Sequence, residues 1–323
     1  MNIGIIGAGL IVPDFLEACL HIPSITVRSI CARERNLERM NQLSEKYGIE
    51  KIFTDYLDLL NDDVDGIYVA VPNHLHYQFA KEALEHKKHV ILEKPFTSSC
   101  DQARDLVRRA EEKHVILFEA ISNQYLPSYQ KVKELLPDLG DIKIVHLNFS
   151  QYSRRYDLFK EGTVLPVFDP EKSGGALMDL NVYNIHFLLG LFGKPERVNY
   201  IANIERGIDT SGILTLEYPG FQCSAIGAKD CKAPAEISIQ GDKGCIYGNT
   251  PSSLFESFTF WGNDGREQKY ELNEGKNRMY FELKYFAAMV DRQDYEEAEK
   301  RNRQTLDVME ILDTARKQVG VRV

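Results

Sequence analysis

The chain reads as an α/β protein, with a parallel sheet first and then a second α/β domain built on an open, mostly antiparallel sheet. Three observations predict this. The chain opens with an apolar strand that runs into a glycine turn, Ile3-Gly4-Ile5-Ile6-Gly7-Ala8-Gly9. Over residues 1–120, short apolar runs alternate with stretches of helical spacing, as βαβ units require. Beyond residue 120, apolar runs follow one another through turns such as Pro219-Gly220 and Gly241-Asp242-Lys243-Gly244, which suit antiparallel neighbours.

The elements follow in order. Strands are expected at Ile3–Ile6, Thr26–Cys31, Lys51–Phe53, Gly66–Val71, His89–Leu92 and Val115–Phe118. Helices are expected at Asp14–Cys19, Leu37–Tyr47, Tyr77–His86 and Cys100–Lys113. The runs Ile67–Val71 and His89–Leu92 are apolar without alternation, which suits strands covered on both faces. In the second half, Ser128–Leu136 and the long Gly175–Phe192 read as helices. Strands are expected at Ile142–Tyr152, Arg197–Ile204, Gly212–Tyr218, Phe221–Gly227, Ala235–Gln240, Cys245–Gly248 and Ser257–Trp261. Two helices, Tyr280–Val290 and Glu296–Gln318, close the chain. The division is residues 1–120 and 121–323, with the last helix free to pack back on the first domain.

Composition bounds the function. A chain of 323 residues suits two domains, because single cores stop growing at roughly 250–300 residues. A net charge of −9 argues against a nucleic-acid partner or an acidic membrane surface. No apolar run approaches the roughly 20 residues that span a bilayer, and no leader pattern opens the chain. The six cysteines lack Cys-x-x-Cys spacing and read as reduced thiols of a cytoplasmic protein. His74 and His76 form a His-x-His pair, but two ligands on an extended segment are too few for zinc, so no metal is expected.

The chemistry starts at the glycine turn. A helix N-terminus offers unpaired N–H groups and the positive end of a dipole, which attract a pyrophosphate. Gly7, Ala8, Gly9, Leu10 and Ile11 form such a cradle, with Val12 where a third Gly or Ala is usual. After the second strand, an acidic residue would bind the ribose hydroxyls of NAD. Ala32 and Arg33 stand there instead, leaving room and a positive partner for a 2′-phosphate. NADP(H) is therefore preferred over NAD(H), which stays possible.

Lys94 follows the apolar strand His89–Leu92, where open parallel sheets place functional groups. A lysine there can hydrogen-bond a substrate oxygen, and Pro95 after it has access to the cis form. With Val69-Ala70-Val71-Pro72-Asn73-His74-Leu75-His76, Glu93-Lys94-Pro95 and Gly174-Gly175-Ala176-Leu177-Met178-Asp179 in this order, the chain resembles the Gfo/Idh/MocA family of NAD(P)-dependent oxidoreductases. The resemblance covers nearly the whole chain. It implies a Rossmann domain, a second domain whose open sheet is used for homodimerisation, and a substrate held between the domains. It also implies that Ala70, Val71, Pro72, Asn73, His76, Glu93 and Lys94 face the cofactor, and that Asn123 reaches its nicotinamide end. Tyr183 stands where many relatives carry histidine. This Asp…Tyr form resembles the branch with glucose–fructose oxidoreductase, 1,5-anhydrofructose reductase and dimeric dihydrodiol dehydrogenase, which tends to use NADP(H).

Oxidising an alcohol sends a hydride to the nicotinamide and a proton to a base. Asp179 and Tyr183 are one helical turn apart. Tyr183 is expected as the acid/base, with a nearby Lys94 favouring its phenolate. Asp179 would orient Lys94 or hold a substrate hydroxyl. Lys94 as the proton donor is the other assignment. Arg154, Tyr156 and His186 are candidates for substrate contact, and Arg155 lies beside them. The expected function is hydride transfer at a hydroxyl or carbonyl carbon of a sugar, polyol or dihydrodiol. Two alternatives stand: a glycoside-cleaving enzyme with retained NAD, and a non-catalytic dinucleotide sensor.

Overall fold

A computed structural model describes residues 1–322. The chain divides into two compact units, Met1–Ala120 with Asn277–Leu306, and Ile121–Lys276 with Asp307–Val323. The segment 277–306 thus belongs to the first unit.

The first unit holds six parallel strands: β1 Asn2–Ile6, β2 Thr26–Cys31, β3 Lys51–Phe53, β4 Gly66–Val69, β5 His89–Glu93 and β6 Leu117–Ala120. Their order is β3-β2-β1-β4-β5-β6. Every β4 side chain is buried, so both faces of the sheet are covered. The covering helices include α1 Val12–Cys19, α2 Leu37–Tyr47, α3 Tyr56–Leu60, α4 His76–Glu85 and α5 Cys100–Lys113. Ser99 caps α5 by accepting from the Gln102 amide, and Asp55 caps α3 through the Leu57 amide. Phe15 of α1 stacks on Tyr68 of β4 at 3.8 Å. Strand order reverses between β1 and β4, and ligands of open α/β sheets bind at that point.

The second unit opens with α6 Pro127–Leu135, β7 Ile142–Ser150 and α7 Arg154–Lys160. A π-turn, Leu177–Asn181, then runs into α8 Val182–Phe192. The remaining strands are β8 Arg197–Glu205, β9 Ile208–Tyr218, β10 Phe221–Ala228, β11 Glu236–Gly241, β12 Gly244–Gly248, β13 Ser257–Gly262 and β14 Glu267–Glu271. The sheet order is β14-β13-β12-β11-β7-β10-β9-β8, antiparallel except where β7 pairs with β10. One cross-strand row, Tyr200, Leu214, Ala225, Leu147 and Ile237, is buried throughout. On the opposite face Ile201 is 69% exposed and its partner Ile213 is 47% exposed. The sheet therefore has one covered face and one open face. The π-turn packs on β10 by polar staples. Asn181 and Asn184 donate to the carbonyls of Ala225 and Ile226, each at 3.0 Å.

The first unit also contains α9 Arg278–Asp291. The final helix, α10 Tyr295–Gln318, contains the unit boundary.

Three elements were not foreseen. The helix α3 has five residues, too few for a periodic signal. The helix α7 starts on a Ser153 cap and is mostly charged. The strand β14 reads Glu-Gln-Lys-Tyr-Glu, a charged sheet edge without apolar alternation. The helix expected from Gly175 starts as a π-turn, because Asn181 is drawn onto the β10 backbone.

Candidate active site

In the first unit, the residues expected at the cofactor follow the carboxyl ends of four adjacent strands. Gly7–Gly9 follow β1, Ala32–Arg33 follow β2, Ala70–Pro72 follow β4 and Lys94 follows β5. Gly7 has φ +127°, and a Cβ there would lie 2.2 Å from the Ala70 carbonyl oxygen. Only glycine lets the turn pass so close to the end of β4. At Gly9 the same oxygen would be 3.8 Å away, so space is left above the turn.

The residues present fit a dinucleotide pyrophosphate. Among the described residues, the amides of Gly9, Leu10 and Ile11 donate to no protein acceptor, and α1 has no side-chain cap. These are the donors a pyrophosphate requires. Arg33 is exposed, and Ala32 offers no carboxylate. Arg39 of α2 donates from Nη2 to the Gly9 carbonyl at 3.1 Å, while its Nε is buried without a partner.

Several of the expected contact residues also bond within the protein. His76 is buried, and its ring nitrogens lie 2.9 Å from the carbonyls of Val71 and Pro95. Burial lowers its pKa against the pull of these two carbonyls, and the ring is held between two loops. Glu93 accepts from Tyr68 Oη at 2.6 Å and from the Lys94 amide at 3.2 Å. Burial raises its carboxyl pKa, against the pull of Tyr68 and Lys94. These bonds brace the strand end. The Lys94–Pro95 peptide is cis.

In the second unit, Asp179 lies in the π-turn and pairs through Oδ2 with Lys229 Nζ. Lys229 follows β10, its amide held by the Thr210 carbonyl at 2.8 Å. Its ammonium sits 5.1 Å from the Phe168 ring centre, a cation–π distance. A cavity of about 380 Å³ opens on this pair, lined otherwise by Gln151, Tyr152, Ser153, Arg154, Arg155 and Leu180. Tyr183, 6% exposed, is on α8, and its carbonyl accepts from Asn123 Nδ2 at 2.8 Å.

Two relatives resemble the chain in sequence and two solved structures resemble it in fold. The scyllo-inositol 2-dehydrogenase (NADP+) of Bacillus subtilis is 32% identical over 325 residues, covering 99% of this chain and 98% of its own. The trans-1,2-dihydrobenzene-1,2-diol dehydrogenase of Xenopus tropicalis is 28% identical, covering 86% and 83%. A 3-ketoreductase from Actinomadura kijaniata, solved with NADP and TDP-benzene, superposes with a TM-score of 0.86 at 22% identity, covering 98% and 97%. A levoglucosan dehydrogenase, solved with NADH and levoglucosan, gives 0.85 at 17%, covering 98% and 96%. Residues 1–121 match the oxidoreductase family with an NAD-binding Rossmann fold, and residues 129–247 match the GFO/IDH/MocA C-terminal domain.

The chain is a member of the Gfo/Idh/MocA oxidoreductase family.

Within this oxidoreductase, some residues matter that the sequence reading passed over. Lys229 follows a strand with no motif around it, so only the fold places it on Asp179. Arg39 lies six residues beyond Arg33, and α2 turns it toward the glycine turn. Tyr152 lines the cavity, whereas the expected Tyr156 hydrogen-bonds Glu205 and stacks among Phe159 and Phe168. That bond pushes the Tyr156 hydroxyl up to about 12. His186 is 1% exposed on α8. Asn123 is fully buried, its Nδ2 on the Tyr183 carbonyl.

Proposed function

We propose that this oxidoreductase is an NADP(H)-dependent dehydrogenase or reductase of a small polyhydroxylated molecule, with a cyclic polyol as the first candidate. The observation that carries the substrate class is the cavity at Asp179. Carboxylate, ammonium, amide, hydroxyl and guanidinium groups line it, and these hydrogen-bond hydroxyls in both directions. The name of the Bacillus subtilis relative, with its near-complete overlap, supports the same choice. The unoccupied amides of Gly9, Leu10 and Ile11 would hold the pyrophosphate, and Arg33 with Arg39 the 2′-phosphate.

When bound, the nicotinamide accepts the hydride from a carbinol carbon or returns it to a carbonyl carbon. The protein's share is the proton and the orientation. Tyr183 is assigned the hydroxyl proton, with Lys94 the other candidate for that role. Asp179, fixed by Lys229, takes a neighbouring hydroxyl and sets which carbon is presented. A homodimer through the open sheet face goes with this reading, supported by exposed Ile201 and Ile213. So does a cytoplasmic setting, which would keep the buried Cys19, Cys31, Cys100 and Cys223 reduced.

The test is thermal unfolding with NADPH and with NADH, followed by NADP+ reduction with scyllo-inositol. A larger upward shift with NADPH and net formation of NADPH are expected. No shift with either nucleotide would remove the cofactor reading. Binding without net reduction across a polyol panel would remove the dehydrogenase reading.

A further inference from the structure

We propose that Asp209 is a positioning residue for the reaction: a buried carboxylate that fixes the first turn of the segment carrying Asp179 and Tyr183. The proposal rests on the functional reading above for what that segment does.

Asp209 stands at the start of β9 and is 1% exposed. Its Oδ2 accepts from the Leu177 amide at 2.7 Å and from Tyr200 Oη at 2.8 Å. Leu177 is the first residue of the π-turn, so the carboxylate meets an N–H that the turn itself leaves unspent. Its Oδ1 has no hydrogen-bond partner. A Cβ on Gly175 would lie 2.0 Å from that oxygen, and Gly175 has φ +103°. The second glycine of Gly174-Gly175 is therefore shaped around Asp209. The next residue, Thr210, accepts the amide of Lys229, which pairs with Asp179. One strand end thus holds the Asp179 segment from two sides.

A buried carboxylate with an unpaired oxygen opposes folding. Burial pushes the Asp209 pKa up to about 6, against the Leu177 amide, the Tyr200 hydroxyl and the charge of Lys229. Burial, with the charges of Asp209 and Asp230, raises the pKa of the Tyr200 hydroxyl that meets this carboxylate. Asparagine would keep the acceptor without the buried charge. A charge held at this cost to stability, on the turn that presents Asp179, marks a functional constraint.

The sign of the pH effect follows. A carboxyl whose folded pKa is raised favours folding most at low pH. That contribution is lost as pH rises from the unfolded value through about 6. Asp209→Asn should therefore melt at or above the wild-type temperature at pH 8, and lose that advantage progressively as pH falls through about 6 toward 4.

The experiment uses the full chain as wild type, Asp209→Asn and Tyr200→Phe. Hydrogen exchange of peptides covering 176–183 is read first, because it needs no substrate. Then kcat and KM are measured with NADP+ and scyllo-inositol across pH 6–9. Faster exchange confined to that segment is expected in both variants. In Asp209→Asn, kcat should fall about tenfold with the KM for NADP+ unchanged. Wild-type exchange in both variants overturns the anchor. Faster exchange with wild-type kcat overturns its role in the reaction. Should wild type leave scyllo-inositol unoxidised, that choice of substrate fails, and exchange still decides the anchor. If Asp209→Asn does not fold, Tyr200→Phe alone gives the same readings.

Discussion

Lys229 and Asp179 form an ion pair in which the lysine is 3% exposed and the aspartate 30% exposed. The ammonium is the desolvated partner, and the carboxylate is the one that meets the cavity. Removing the lysine leaves a carboxylate that can still reach water, so the fold survives. What is lost is the direction of Asp179. Lys229→Met is expected to lower kcat with a polyol by about 10–100-fold, the scale of a misplaced contact group. Nucleotide affinity should stay within about twofold, read by NADPH titration, because no nucleotide contact is assigned to Lys229.

This pair also marks where the sequence stops being legible. Strands β2 and β3 and helices α2 and α5 were placed to the residue, because periodicity and caps are local signals. Gly7–Gly9 and Lys94 were found because each follows a strand end. Lys229 has no local signal at all, since 50 residues separate it from Asp179. His76, Glu93 and Asn123 carry polar groups in motif positions, and each also bonds within the chain, to Val71, Tyr68 and Tyr183. Motif position does not reveal whether a polar group is already satisfied by backbone, and only packing does.

The two turn glycines separate folding from binding. In Gly7→Ala the added carbon would meet the Ala70 carbonyl oxygen at 2.2 Å, and the residue must hold φ +127°. Loss of stability by about 2–4 kcal/mol is expected, read by denaturant unfolding. In Gly9→Ala the nearest atom is 3.8 Å away. The melting temperature should stay close to wild type, while the NADPH-induced shift shrinks. An unchanged shift in Gly9→Ala would place the pyrophosphate elsewhere.

Arg39 offers a test of cofactor choice. Its Nε is buried without a partner and its Nη2 is on the Gly9 carbonyl, so its guanidinium is held at the turn. Arg39→Ala should weaken NADPH by about 10–100-fold, as expected for a charge-assisted contact of roughly 1.5–3 kcal/mol. NADH should change by less than about threefold. Equal losses for both nucleotides would show that Arg39 shapes the turn and does not read the 2′-phosphate.

The open sheet face makes an assembly prediction. Ile201 and Ile213 are cross-strand partners, and Ile144 on the same face is 50% exposed. A charge at this position leaves the covered face untouched. Ile213→Asp should convert a dimer to a monomer in light scattering, with turnover per chain reduced by less than about tenfold. A monomeric wild type would remove the homodimer from the functional reading.

Glu282 of α9 carries the strongest pH prediction in the first unit. It is 1% exposed, and its Oε2 has no partner. Burial pushes its pKa well above the usual carboxylate range, Glu93 and Glu119 add to this, and Arg278 opposes it. The folded state therefore holds a proton that the unfolded chain releases. Stability from this group is complete below the unfolded pKa and declines as pH rises, by about 1.4 kcal/mol per unit until the folded pKa is passed. Glu282→Gln has no proton to release. Its melting temperature relative to wild type should rise between pH 5 and 8, and the difference should shrink toward pH 4. A difference that does not vary with pH would mean that Glu282 is ionised in the folded chain. The carboxylates around Glu93 would then need a counter-charge beyond Arg278.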